Sequence, residues 1–176
     1  MDDKQNTTYE HYPLWIIFIS TILQLSIIII GSYLIYQIGI IWLLLYLIFL
    51  GILEIRLLRK SCIDCYYYGK RCAFGKGKLC SILFKKGNPN KFITHQIKWI
   101  DIVPDFLVSL IPMIIGIFLV LTDFDWSVVV LIVVLFFLGF VGTGTVRGYL
   151  ACKFCKQKEI GCPADQLFNK PKKKKS

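Results

Sequence analysis

Seven cysteines carry the clearest ligand chemistry in this chain: Cys62, Cys65, Cys72, Cys80, Cys152, Cys155 and Cys162. Six of them repeat one pattern, C-x2-C-x6-C, as Cys62, Cys65, Cys72 and again as Cys152, Cys155, Cys162. A CxxC pair lets two thiolates meet one ion from a single turn, so two such pairs, each with a third cysteine, make a strong ligand signal. Lys60, Lys70, Arg71, Lys153 and Lys156 stand close by in sequence. They are expected to lower the thiol pKa values and help to hold thiolate charge.

Three ligand arrangements follow. Cys62, Cys65, Cys72 and Cys80 make a four-thiolate set, a common shell for structural zinc. Cys152, Cys155 and Cys162 would then need a fourth ligand, with Asp165, His95 or water as candidates. Alternatively, the six duplicated cysteines share one bridged cluster. Their spacing resembles the binuclear zinc cluster of fungal transcription factors, in which two C-x2-C-x6-C halves surround two zinc ions. The resemblance covers those six cysteines alone and implies a ligand geometry. It does not extend to function, because 79 residues separate the halves and no DNA-reading region is present. The third arrangement is an iron–sulfur cluster, although the spacing differs from the common ferredoxin run. Dithiol redox chemistry without a metal is a further reading, but no thioredoxin-like βαβ pattern surrounds either pair.

The elements that must position these thiols are apolar helices. Residues 13–53 form a run of 41 without a formal charge, and residues 126–146 form another of 21. Hydrophobic residues make up 56% of the chain and charged residues 18%. A bilayer core about 30 Å thick needs roughly 20 apolar residues per helix. Such a composition excludes a soluble domain, a disordered chain and a secreted disulfide scaffold. The fold predicted is an all-α integral membrane protein with four transmembrane helices, at about 14–36, 38–55, 103–122 and 126–146. The first apolar run is too long, and its flank too acidic, for a signal peptide.

Charge sets the expected topology. Residues 56–98 hold 11 Lys or Arg, the tail from Arg147 holds 9, and Lys4 completes the 21. The two hairpin turns contain no Lys or Arg. The positive-inside rule therefore predicts an inner-membrane protein with both termini and both cysteine segments cytoplasmic. Cytosolic thiols stay reduced, which favours ligation over disulfides. The formal charge of +10 then gathers on one membrane face, where anionic headgroups attract it. Lys172–Lys175 belongs to that face. Nucleic-acid binding is not expected, since no stacking platform accompanies the basic tail.

The two halves match beyond their cysteines. Glu10-His11-Tyr12-Pro13 precedes the first hairpin and Asp101-Ile102-Val103-Pro104 the second, and an arginine stands 43 residues after each proline (Arg56, Arg147). Leu83-Phe84 and Leu167-Phe168 close the two cysteine segments. The expected organisation is two parallel repeats, each a helical hairpin followed by a cysteine module. Their boundaries are 1–61, 62–98, 99–148 and 149–176. An axis along the membrane normal relates such repeats and brings the two modules together.

Other signals are weaker. Gly69 to Lys78 imitates a phosphate loop but lacks its spacing and its strand, and reads as a flexible basic loop. Asp101 and Asp105 share a helix face, as N-terminal caps or as a metal or proton entry site. Glu54 is expected to pair with Arg56 or Lys60. Gln24 is expected in interhelical packing. Gly139, Gly142, Gly144 and Gly148 offer a small-sided surface for close helix approach. His11 and His95 are possible extra ligands, Pro112 should kink the third span, and Tyr66–Tyr68 suits a membrane interface. The functional expectation is a non-enzymatic, membrane-anchored, zinc-binding protein with a basic docking face for a cytoplasmic or membrane partner. The alternatives are an iron–sulfur or dithiol redox subunit, and metal handling or transport.

Overall fold

A computed structural model describes residues 8–89, 92 and 99–162, and of residues 99–102 and 105 the backbone. The described chain is all-helical, with no strand beyond one parallel bridge between Tyr9 and Cys155. Helix α1 is Leu14–Tyr36. Helix α2 runs Ile40–Cys62 and closes in a π-helical turn, Leu58–Cys62. A short α3, Lys76–Leu83, follows. Helix α4 is Trp99–Thr122. Helix α5 runs Trp126–Phe154 and contains two π-helical turns, Phe137–Gly142 and Val146–Ala151. The short α6 is Lys156–Gly161.

Three helices, α1, α2 and α5, are long and apolar enough to cross a membrane. In α4 the apolar stretch Phe106–Thr122 is shorter. The first turn falls at Gly39 inside the first charge-free run, and the second at Asp123–Asp125 just before the other run. Gly39 links α1 to α2 with φ 152°, a value that favours glycine. Asp125 starts α5 by accepting a hydrogen bond from Ser127 N at 2.8 Å, an N-cap in which an acid complements the helix dipole.

Two expected boundaries change. Helices α2 and α5 continue past residues 55 and 146, so Cys62 and Cys152 lie on helix ends rather than beyond them. Pro13 flanks α1 in extended geometry, but Pro104 lies inside α4. Trp99, Ile100 and Ile102 carry the apolar run back through the proline, and the helix follows them. The two proline landmarks therefore have different structural roles.

Helix α1 is central and packs on α2, α4 and α5. Small residues allow the approach. A Cβ on Gly31 would stand 3.0 Å from Tyr46 Oη and 3.1 Å from a Pro112 ring carbon. One on Gly116 would meet Ile132 at 2.7 Å. Ile27, Leu34, Val128 and Leu135 form the core between these helices. Pro112 has no N–H for the carbonyl one turn back, Val108, and Tyr46 Oη donates to that carbonyl at 2.8 Å. A carbonyl freed in an apolar setting is thus paired again by a neighbouring helix. Of the four glycines expected to face a partner, Gly139 and Gly142 do so, against Ser109 and Leu23. Gly144 and Gly148 face open space, so they are not part of this packing. Gln24 is exposed on α1 rather than locked between helices.

Candidate functional site

Both CxxC pairs sit where a long helix leaves through a π-helical turn. Such turns are frequent at functional sites. The two turns share their backbone bonding. Cys65 N donates to Cys62 O at 3.4 Å, and Cys155 N to Cys152 O at 3.4 Å. Tyr68 N then donates to Cys65 O and Lys158 N to Cys155 O, each at 3.0 Å. The amides of Tyr67 and Gln157, two residues on in each turn, bond toward the Cys65 and Cys155 thiols. Gly77 N donates to Cys72 Sγ at 3.3 Å. Amide donors favour the thiolate form of a sulfur.

The turns are docked on each other. Tyr67, buried, is the hub: its hydroxyl donates to Tyr9 O at 2.6 Å and accepts from Lys156 N at 3.0 Å. Gln157 Oε1, also buried, accepts from Tyr66 N at 2.7 Å. Tyr12 Oη donates to Ala151 O at 2.5 Å, and Tyr9 N to Phe154 O at 3.0 Å. Tyr12, Ile16, Tyr67, Ala73 and Ala151 form one apolar cluster, and Cys65, Cys72 and Cys155 pack against it. The N-terminal segment, expected only to lead into α1, thus straps the two modules together. Tyr67 is a core residue, not the interfacial one expected from the Tyr66–Tyr68 run.

No disulfide joins any of the seven cysteines. Cys62 has Cys72, Cys80 and Cys65 as charge neighbours, and Cys65 has Cys155, Cys72 and Cys162. Cys65 is therefore the thiol that connects the two modules. Among the described residues, no three Cys, His, Asp or Glu side chains converge closely enough to hold an ion in this geometry. His11 lies exposed beside Glu10. His95, Asp165, Leu167-Phe168 and Lys172–Lys175 lie outside the described residues, as do the side chains of Asp101 and Asp105.

The thiol electrostatics reverse the expectation from the flanking lysines. Burial pushes Cys65 up to about 12, opposed by the Tyr67 amide and reinforced by the Cys155 thiol. Burial also raises Cys155, against the Gln157 amide, and raises Cys80, with Cys72 adding to it. Three of the five flanking basic groups are engaged elsewhere. Lys70 Nζ lies 4.1 Å over the Tyr66 ring, and Lys153 Nζ lies 5.4 Å over Phe154. Lys156 Nζ pairs with Glu10 at 2.7 Å.

The segment after Cys72 is not a flexible loop. Residues Lys76–Leu83 are helical, and Cys80 is fully buried with its thiol 3.8 Å from Leu58 O. A Cβ on Gly77 would stand 2.2 Å from Tyr67 O, so glycine alone permits this seating. Glu54, expected to pair with Arg56 or Lys60, pairs with Lys76 at 2.7 Å. No family model, curated protein or solved structure matches the chain.

Proposed function

We propose that the protein is a four-span inner-membrane metalloprotein in which the paired cysteine modules bind zinc. In this reading α4 is the remaining span, and the two halves are tandem copies of a hairpin and a module. Both termini face the cytoplasm, as the 21 basic residues demand. Zinc ties the modules into one basic face for anionic lipid or a protein partner, and no chemical step is assigned to it.

One observation carries the reading: two CxxC turns of matching backbone geometry, each with an amide aimed at sulfur, are docked so that Cys65, Cys72 and Cys155 share one cluster. The ligand set is drawn from Cys62, Cys65, Cys72, Cys80, Cys152, Cys155 and Cys162, and loading requires side-chain rotation to bring the sulfurs onto an ion. Thiols held protonated by burial and by one another are poor free nucleophiles, which disfavours a dithiol exchange role. They are stabilised as thiolates once a cation is present.

The test is metal and acid-labile sulfide content, with a visible spectrum, on protein purified in detergent without oxygen. Colourless protein with bound zinc, and chelation that exposes the buried thiols, is the expected result. Iron with sulfide would replace zinc by a cluster and make the protein an electron-transfer subunit. Metal-free protein that takes up no added zinc would refute the proposal.

A further inference from the structure

The first cysteine module does not stay at the end of the helices. Its chain descends beside α1: Tyr12 N donates to Arg71 O at 3.0 Å, Ser20 Oγ to Ala73 O at 2.6 Å, and Gly75 lies against Ile17. Lys76 reaches Glu54 on α2 at 2.7 Å. Phe74, Lys76 and Leu79 line an open groove of about 310 Å³ with Gln24, Leu25 and Ile28 of α1. The chain then climbs back through α3. Cys80 meets Leu58, Tyr68 Oη donates to Phe84 O at 2.7 Å, and Gly87 N donates to Ile63 O at 3.0 Å.

These levels fall inside the apolar length of α1. Counted back from Tyr36, roughly 20 residues of hydrocarbon reach about Ile17. At 1.5 Å per residue, Thr21 lies about 6 Å and Ile28 about 17 Å within that boundary. Non-helical backbone is tolerated at such depth only where protein satisfies it. Here the Arg71 and Ala73 carbonyls and the Gly75 and Gly77 amides all have partners. The Glu54–Lys76 pair is sheltered, with side chains 35% and 15% exposed, and mutual pairing suits ionisable groups at this level. The outer face of α3 is apolar: Ile82 is 75% exposed, with Leu79 and Leu83 beside it. That face continues the exposed apolar surface of Leu25 on α1, and exposed Lys78, Lys85 and Lys86 flank it. Lysines flanking an apolar helix face are the pattern of an element lying in a membrane interface.

We infer that residues 71–84 form a re-entrant hairpin seated in the bilayer leaflet on the cysteine side, with lipid acyl chains against Leu79, Ile82 and Leu83. The inference rests on the membrane-embedded reading of α1 and α2 and is independent of what the thiols bind. The test places a nitroxide on a genetically encoded keto side chain at Ile82 in the full chain, leaving all seven cysteines in place. Ile48, exposed on α2, and Glu159, exposed on α6, are the references. In phosphatidylcholine–phosphatidylglycerol vesicles, collision with oxygen is compared with collision with chromium oxalate. The Ile82 ratio is expected to fall below that of Ile48, which lies near the middle of α2, and to exceed Glu159 severalfold. A ratio at Ile82 equal to Glu159, with Ile48 still favouring oxygen, would overturn the hairpin while leaving the membrane reading intact. Ile82 shielded from both agents would also overturn it, because protein rather than lipid would then cover α3. Ile48 open to chromium oxalate would instead remove the membrane reading itself.

Discussion

Replacing Tyr67 with Phe removes one oxygen that joins three parts of the molecule. Burial pushes the phenol up to about 12, so at neutral pH it keeps its proton and donates to Tyr9 O while accepting from Lys156 N. The ring and its contacts with Tyr12 and Tyr66 would remain. Two backbone groups would lose their partner. A stranded buried group costs about 1–3 kcal/mol. Both bonds are only part-buried, so about 2 kcal/mol for the pair is the reasoned value. At 1.4 kcal/mol per factor of ten, opening of the module interface should rise about 30-fold. The assay is maleimide labelling of chelated protein in detergent, resolved by cysteine with mass spectrometry. Cys65 and Cys155, which pack at the interface, should label about 30-fold faster. Cys80, buried under Leu58 within one module, should keep its rate. The exposed Cys152 reports intrinsic reactivity. Unchanged rates at Cys65 and Cys155 would refute the hub, and an equal rise at Cys80 would mean global unfolding instead.

Gly77→Ala sets helix propensity against sterics. Alanine would gain about 1 kcal/mol as a helix former, yet its methyl would sit 2.2 Å from Tyr67 O and 2.6 Å from Lys70 O. Neither backbone atom can swing away, and thermal unfolding should show a net loss of about 1–3 kcal/mol or more; a stabilised variant would disprove the seating of α3. Tyr46→Phe leaves the carbonyl freed by Pro112 unpaired. Interhelical bonds in membranes are worth about 0.6 to 2 kcal/mol, and a shift of that size in detergent unfolding is expected, absent if Pro112→Ala is made first. Stability of metal-free protein should decline as pH rises from 9.0 toward about 12, because the unfolded Cys65 thiol ionises first while folding retains the proton. The unfolded state then binds fewer protons, which gives the negative slope, and zinc-loaded protein should lack it; a metal-free profile flat across that window would contradict the burial of Cys65.

Composition and local pattern made some features legible without coordinates. The charge-free runs located α1 and the start of α5 at Leu14 and Trp126, because helix length in an apolar setting depends on residue type alone. Asp125 and Gly39 marked turns for equally local reasons, a cap and a backbone angle. The doubled CxxC spacing marked two like segments, but not that both long helices run on past residues 55 and 146 to reach them. The partners did not show. Tyr67 meets Tyr9 and Lys156 across 58 and 89 residues, and Glu54 meets Lys76 across 22. No periodicity encodes such pairs, which exist only once α1 packs between α2 and α5. The thiol pKa values depend on packing for the same reason. Sequence places lysines beside cysteines, but tertiary packing lays Lys70 and Lys153 on aromatic rings and buries Cys65 and Cys155 among other thiols. What the sequence alone determined is what each residue prefers locally: apolar helix, turn or ligand chemistry. Only the tertiary structure decided which groups share a dielectric and a neighbour, and that set the seating of α3 against Tyr67 and Leu58, the hub at Tyr67 and the packing of Cys65, Cys72 and Cys155 on one cluster.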